Sequence, residues 1–210
     1  VYTVVPGAHF RERAKEGRAA LFAAKLAAEL LTEDALEEKL AHMQKILPDA
    51  YYLQFYRGRN LYEQGDVEAA CSCFQQALDQ HPAGEDVPYI FSYLGLCLRD
   101  QGKFTEAIGV LQEGLAYDEE RPDIHNTLGV CYFKTSRYTE AVASFRRAVA
   151  LNPMSAIDYA NLALNLEKIG EYREAITQYE TALSLDSSIT FAAENLAELL
   201  RSVAIDKEQA

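Results

Sequence analysis

Cysteine and histidine are the residues of this chain whose spacing could most readily reveal a reactive or metal-binding site. Cys71 and Cys73 form a Cys-x-Cys pair, a pattern that could hold a metal ion or take part in redox chemistry. On a helix, however, side chains two residues apart point about 200° away from each other, so this pair cannot chelate one ion. None of the four histidines lies three or four residues from another histidine or from a cysteine. The sequence therefore predicts no metal site and no cofactor.

The other two cysteines, Cys97 and Cys131, stand at equivalent positions of two similar segments. Because a cysteine in such a position commonly packs as a small hydrophobic residue, we interpret all four cysteines as packing residues. The sequence also lacks a glycine-rich phosphate loop, a zinc-binding pair of histidines on a helix and a nucleophile-elbow serine. We therefore expect that this chain is not an enzyme.

The net charge of the chain and the length of its most apolar stretch narrow the range of expected partners. The chain has 20 lysines and arginines against 32 aspartates and glutamates, a net charge of −12 that would repel phosphate backbones, so nucleic acid is not an expected partner. The most apolar stretch, residues 19–31, is interrupted by Lys25 and Glu29 and is too short for membrane insertion. With four cysteines and no visible secretory signal, we expect a cytoplasmic protein. Because the chain begins at Val1 rather than at a methionine, a signal upstream of it stays open.

Similar segments repeat along the chain with a period close to 34 residues, and these segments contain the helices that would position the side chains named above. Apolar residues recur at i, i+3, i+4 and i+7 within each segment, which is typical of an amphipathic helix. A column of small residues keeps the same period: Gly58, Gly95, Gly129 and Ala163. A glycine inside a helix costs about 1 kcal/mol relative to alanine, so we interpret this column as the place where paired helices cross closely.

The segments YFKTSRYTEAVASFRRAVALNP and NLEKIGEYREAITQYETALSLD closely resemble the tetratricopeptide repeat (TPR). This resemblance implies an all-α fold, a right-handed superhelical solenoid of antiparallel helix pairs. Arg57 departs from the family pattern because the first helix usually has leucine there. Glu119 and Ser187 stand where other repeats have a closing proline, so the repeats are not uniform.

Five parts of the chain follow from the repeats and from the need to cover the ends of a solenoid. We predict an extended tail (1–7), an N-terminal helical pair that is a degenerate repeat or a cap (8–48), four TPR-like repeats (49–189), a C-terminal capping helix (190–205) and a frayed end (206–210). Glycines in the turns between paired helices suit a positive φ: Gly65, Gly102 and Gly170. Pro88 and Pro122 are expected in the first turns of helices.

The resemblance implies that the first helix of each repeat lines an inner, concave surface. The candidate partner-binding residues at such positions are Tyr52, Phe55, Tyr56, Arg59, Tyr62, Tyr89, Tyr93, Arg99, Asn126, Phe133, Asn161 and Lys168. Tyrosine offers a large contact area and a hydroxyl group, which suits an interface. The alternative is that some of these rings pack inside the protein and are never exposed.

The predicted function is that of a scaffold binding a peptide or protein segment in the concave groove of the repeats. Some family members bind chaperone C-terminal carboxylates through lysines and asparagines on the first helices, but here those positions begin with Phe55 and Arg59 and the basic set is incomplete. A segment with apolar anchors, and with basic residues to match the acidic chain, fits better. Two alternatives remain: a homo-oligomeric assembly module, and a regulatory or docking domain excised from a larger protein, for which the tail 1–7 is the only hint.

Overall fold

The computed structural model describes residues 33–46, 50–82 and 86–209. The predicted tail 1–7 and the first predicted N-terminal helix lie outside the described residues. In the described ranges the chain forms ten α-helices and no strand. The first four helices are α1 (Glu33–Ile46), α2 (Tyr51–Glu63), α3 (Val67–Asp79) and α4 (Val87–Asp100). The remaining six are α5 (Phe104–Tyr117), α6 (Pro122–Lys134), α7 (Tyr138–Leu151), α8 (Ala156–Lys168), α9 (Tyr172–Leu185) and α10 (Thr190–Gln209).

Short turns close the helix pairs as the sequence predicts. Gly65, Gly102 and Gly170 have φ values of 85°, 75° and 84°, a region that glycine enters without steric cost. In the equivalent turn between α6 and α7, Ser136 takes the same left-handed conformation with φ 59°. The backbone N–H of Arg137 then donates to the carbonyl of Tyr132 at 2.8 Å, which satisfies a carbonyl at the end of α6.

Proline opens two of the helices, also as predicted. Pro88 lies in the first turn of α4, and Pro122 is the first residue of α6. Proline fits there because the first turn of a helix has no partner for a backbone N–H.

The chain divides into two compact units, residues 1–101 and 102–210, and each is described by itself. In the first unit α2 and α3 pack as a pair, α4 packs on both of them, and α1 packs on α2. A Cβ atom at Gly58 would lie 2.8 Å from Cε1 of Phe74, which confirms close crossing of α2 and α3 at this glycine. The apolar stripe of α1 is buried through Leu36, Leu40 and Met43.

In the second unit the pairs α6–α7 and α8–α9 pack on each other, α5 packs on α6, and α10 packs on α9 and α8. A Cβ atom at Gly129 would lie 2.7 Å from the ring of Phe145, so the same crossing recurs. Between α9 and α10 the contact includes a hydrogen bond, because Nδ2 of Asn195 donates to the hydroxyl of the buried Tyr179 at 3.2 Å.

The last helix is longer than predicted. It extends from Thr190 to Gln209, past the boundary expected at residue 205. Residues 191–209 contain neither glycine nor proline, so the sequence offers no residue that would end the helix earlier.

Candidate functional site

In α2, the first helix of the first full repeat, aromatic residues fill the side that was predicted to face a partner. Tyr52, Phe55 and Tyr56 are only 6%, 4% and 4% exposed. The ring of Phe55 lies 5.2 Å from that of Tyr56 and 6.1 Å from that of Phe74, centroid to centroid. These three residues therefore pack inside the unit, the alternative left open by the sequence, and they are a correction to the predicted set of partner-facing residues.

Tyr93 of α4 completes this aromatic cluster and remains partly accessible. Its ring stacks on Phe74 with the centroids 5.3 Å apart and the planes 20° apart. It meets Phe55 and Tyr62 edge to face at 5.9 and 6.1 Å. Such offset and edge-to-face contacts are the favourable geometries for aromatic pairs, so α2, α3 and α4 are tied together by rings. Tyr89, one turn earlier on α4, is half exposed.

Arg59 lies over this cluster with its side chain 34% exposed. Its guanidinium carbon is 5.8 Å from the ring centroid of Tyr56 and 5.9 Å from that of Tyr93, within the range of cation–π attraction. One of its terminal nitrogens is 3.8 Å from a carboxylate oxygen of Glu63. Its Nε atom is buried and has no hydrogen-bond partner. The guanidinium group is thus held in place by rings rather than by a close carboxylate.

Arg99, by contrast, is neutralised by a neighbour. Its Nε and Nη2 atoms contact Oδ1 of Asp100 at 2.8 and 2.7 Å, and the hydroxyl of Tyr62 donates to Oδ2 of Asp100 at 2.7 Å. Burial, the hydrogen bond and the negative charge of Asp100 together raise the pKa of Tyr62 to about 12. This triad links the ends of α2 and α4 and leaves Arg99 with little free charge for a partner.

In the second unit the sides of α6 and α8 that were predicted to face a partner are more open. Nδ2 of Asn126 donates to a carboxylate oxygen of Asp158, which joins the first helices of successive repeats. Beyond that bond, Phe133 and Asn161 are half-buried and Lys168 is exposed, so these predicted residues are accessible. The first-helix face of the second unit consists of Asn126, Val130, Phe133, Ile157, Asn161, Leu164 and Lys168, all at least partly exposed.

Two buried polar residues behind this face were not among the predicted site residues. Asp158 is 4% exposed and accepts the hydrogen bond from Asn126. Asn165, seven residues later, donates from Nδ2 to the carbonyl of Asn161 at 2.8 Å, while its buried Oδ1 has no partner. Their spacing of seven places both on one side of α8, and this polar periodicity is the signal in the sequence that could have identified them.

The cysteines pack as expected. Cys97 and Cys131 are fully buried, Cys73 is buried and Cys71 is half-buried. Burial raises the pKa of the Cys97 thiol to about 12, which disfavours the reactive thiolate. Across the described residues, no three histidine, cysteine, aspartate or glutamate side chains come together in a group that could hold a metal ion. None of the described helices has an apolar stretch long enough to cross a membrane.

Family comparison agrees with these features. Family models for the tetratricopeptide repeat match residues 15–85, 57–116, 94–156 and 159–189. The chain belongs to the tetratricopeptide repeat family, which confirms the resemblance and the all-α class of helix pairs predicted from the sequence. The comparison with curated proteins gave no match by sequence.

Solved structures of similar fold include proteins with peptide sites. YrrB, described as a TPR protein with an unusual peptide-binding site, is 16% identical with a TM-score of 0.72, over 89% of this chain and 95% of that one. MamA from Desulfovibrio magneticus RS-1 is 15% identical with a TM-score of 0.70, over 82% and 96%. The first TPR domain of Spaghetti (RPAP3), bound to the HSP90 peptide SRMEEVD, is 23% identical with a TM-score of 0.56, over 58% and 97%. At these identities the likeness establishes the fold alone.

Proposed function

We propose that this chain is a non-catalytic interaction module that binds a polypeptide segment along the exposed side of its first helices. One observation carries the proposal. The first-helix face of the second unit presents amide and apolar side chains that are partly exposed, while the opposite sides of the same helices are buried through Ile124, Leu128, Leu162 and Leu166. Family membership supports this function, as do two structural neighbours described as binding a peptide or having a peptide-binding site.

The chemistry of this face suits an extended polypeptide. Asparagine both donates and accepts hydrogen bonds, so Asn161 can pair with either backbone group of a peptide. Val130 and Leu164 offer apolar contact beside it. Asn126 is already fixed by Asp158, which reduces the side-chain freedom that a partner would have to remove on binding.

The test is selection of short random peptides, displayed on phage, against the chain. The variant is Leu164→Asp on the first-helix face, and the matched control is Thr177→Asp, which places the same charge on the exposed surface of α9. We expect selected peptides to bind Leu164→Asp more than about ten-fold weaker, because a charge enters an apolar contact, and to bind Thr177→Asp as they bind the wild type. Circular dichroism checks that both variants fold. Absence of any selected peptide, or equal binding to Leu164→Asp, would reject the proposal.

Self-association is the second candidate, and exposed apolar side chains in the second unit favour it. Met154 is 75% exposed and Tyr117 is 64% exposed. Exposed side chains of this size can contribute apolar area to a contact with a second copy of the chain. Light scattering over a range of concentrations separates the two functions, because a mass that stays at 23.5 kDa throughout would dismiss self-assembly. The cytoplasmic location remains a prediction.

A further inference from the structure

The last helix, α10, stands at the repeat position of a first helix, and the side that a second helix would cover is open. In α8, a first helix that packs against its second helix α9, three residues are only 2%, 0% and 0% exposed: Leu162, Ala163 and Leu166. The residues 34 positions later, in α10, are Leu196, Ala197 and Leu200. Of these, Leu200 is 46% exposed and the other two are half-buried.

The residues that follow in α10 do not turn back to cover this side. The first helices α6 and α8 have 13 residues each and are followed by turns in which Ser136 and Gly170 have a positive φ. Ala204 stands at the equivalent position, 34 residues after Gly170. α10 continues through it as one helix of 20 residues that ends at Gln209. Within the described residues, therefore, no second helix follows α10.

The uncovered side of α10 is apolar, although a helix that only closes the end of a solenoid needs a polar outer side. Its residues form a stripe about 100° wide around the helix, which we call the open stripe: Ala193, Leu196, Ala197 and Leu200. The other side of the helix is anchored, because Ala192 and Leu199 are only 0% and 5% exposed and Asn195 is hydrogen-bonded to Tyr179. The open stripe is thus held in place before any partner arrives.

The complete helix pairs show which side chains cover such a stripe. A Cβ atom at Gly58 would lie 2.8 Å from the ring of Phe74, and one at Gly129 would lie 2.7 Å from the ring of Phe145. Each ring has a small, fully buried residue four positions before it and another three positions after it: Ala70 and Ala77 around Phe74, and Ala141 and Ala148 around Phe145. Because Ala197 holds the same small position in α10, a helix with this pattern of residues fits the open stripe.

Charged residues at one edge of the open stripe favour a positively charged partner. Glu194 and Glu198 are both exposed and lie one turn apart, with Arg201 in the next turn. Two carboxylates against one guanidinium group, in a chain with a net charge of −12, attract lysine and arginine more than aspartate and glutamate.

We propose that the open stripe of α10 binds an amphipathic α-helix of a partner protein in the place of a second helix. The partner helix carries a large apolar residue that lies against Ala197, a small residue four positions before it, another three positions after it, and basic residues towards Glu194 and Glu198. This inference goes beyond the proposed function. It concerns the side of a first helix that a second helix covers in a complete repeat, and not the first-helix face of the second unit.

The test uses helices of this chain as probes, because α7 and α9 both have the required pattern and differ in charge. The basic peptide contains residues 137–152, with three arginines and one glutamate. The acidic peptide contains residues 171–186, with four carboxylates. A covalent link between two exposed positions keeps each peptide helical, 139 and 143 in the first and 173 and 177 in the second, which removes the single arginine of the acidic peptide. Both ends are blocked, and a fluorescent label reports binding by anisotropy.

The protein variants change one side of α10 at a time. Leu200→Glu places a charge in the open stripe. The matched control is Ser202→Glu, which places the same charge two residues later on an exposed position that points away from the stripe. Leu164→Asp, on the first-helix face of the second unit, separates this site from the proposed peptide site. Circular dichroism checks that all three variants fold.

We expect the basic peptide to bind the wild type, Ser202→Glu and Leu164→Asp equally, and to bind Leu200→Glu more than about ten-fold weaker, because a charge enters the apolar contact. Phe145→Asp within the basic peptide should weaken its binding to the wild type by a similar factor. The acidic peptide should bind several-fold weaker than the basic one at low salt, and the difference should shrink as salt is added.

Four outcomes would overturn the inference. They are failure of both peptides to bind the wild type, equal binding of the basic peptide to Leu200→Glu and to the wild type, binding of the acidic peptide as tight as that of the basic one, and loss of the basic peptide in Leu164→Asp. A mass in light scattering that falls from two chains to one in Leu200→Glu would also overturn it, because a second copy would then cover the stripe. The proposed function is tested separately by the phage-selected peptides, so it stands or fails independently of these results.

Discussion

The first helices of the two units use equivalent repeat positions in different ways. In the first unit those positions hold Tyr52, Phe55 and Tyr56, whose rings pack against each other and against neighbouring helices until they are buried. In the second unit Asn126 occupies the position equivalent to Phe55 and Asn161 the position equivalent to Tyr56, and both stay partly exposed. A position in the repeat therefore sets the direction of a side chain, while the size of that side chain and its neighbours decides whether it forms core or surface.

The largest test of this difference is removal of the ring that lies against the small-residue column. We expect Phe74→Ala and Phe145→Ala each to lower the free energy of unfolding by about 3–5 kcal/mol, because both rings are fully buried. Only Phe74→Ala should also change the near-ultraviolet circular dichroism of tyrosine strongly, since Phe74 stacks on Tyr93. Urea unfolding measures the first effect. Losses below about 1 kcal/mol would contradict tight packing at these crossings.

The next largest change in the free energy of unfolding is expected from a direct comparison of two equivalent repeat positions. Tyr56→Ala should lower the free energy of unfolding by about 3 kcal/mol, because the ring is buried in the aromatic cluster. Asn161→Ala, at the equivalent position of the fourth repeat, should change it by no more than about 0.5 kcal/mol. Thermal and urea unfolding of the two variants measure both values. Equal losses would mean that the two faces do not differ as described. Tyr56 is accordingly a poor probe of binding, because its removal disturbs the fold.

Substitution of glycines tests the helix crossings. The expected changes in the free energy of unfolding are smaller here, and their sign differs between a glycine at a crossing and a control glycine. Gly58→Ala and Gly129→Ala should each lower the free energy of unfolding by about 1 kcal/mol. The new methyl group would lie 2.8 or 2.7 Å from a phenylalanine ring, and this steric clash outweighs the gain in helix propensity. Gly109→Ala in α5 is the control, since a Cβ atom there meets nothing within 4 Å. Gly109→Ala should raise the free energy of unfolding by about 0.5–1 kcal/mol. If all three variants gain stability in urea unfolding, the glycine column has no packing role.

The smallest expected effect is a pH dependence in the first unit. The raised pKa of Tyr62, about 12 against a usual value of 10, means that the unfolded chain loses this proton first. Stability is therefore fully present below pH 10 and falls as the pH rises towards 12. Tyr62→Phe removes the titrating hydroxyl, so its melting temperature should fall less steeply over that range. Identical slopes for variant and wild type would argue against the hydrogen bond to Asp100.

Most of the fold could be predicted because the same pattern of residues recurs in each repeat. The crossings at Gly58 and Gly129 were predicted from the period of the repeat, and the three turn glycines and two first-turn prolines from the backbone conformations that these residues favour; the structure contains all of them. The exposure of the site residues could not be predicted in the same way. Burial of Tyr52 depends on contacts between helices, and the bond from Asn126 to the buried Asp158 joins residues 32 positions apart. The helical period of the sequence predicts neither the burial of Tyr52 nor the hydrogen bond between Asn126 and Asp158.

The central claim is that a partner polypeptide lies against the first helices, and site-specific photo-crosslinking tests it most directly. A photoreactive amino acid is placed at position 164 on the first-helix face of the second unit, or at position 177 on the exposed surface of α9, and the partner is the best peptide from the library. We expect covalent capture at position 164, loss of capture when unlabelled peptide competes, and no capture at position 177. Capture at position 177 but not at 164 would contradict the account.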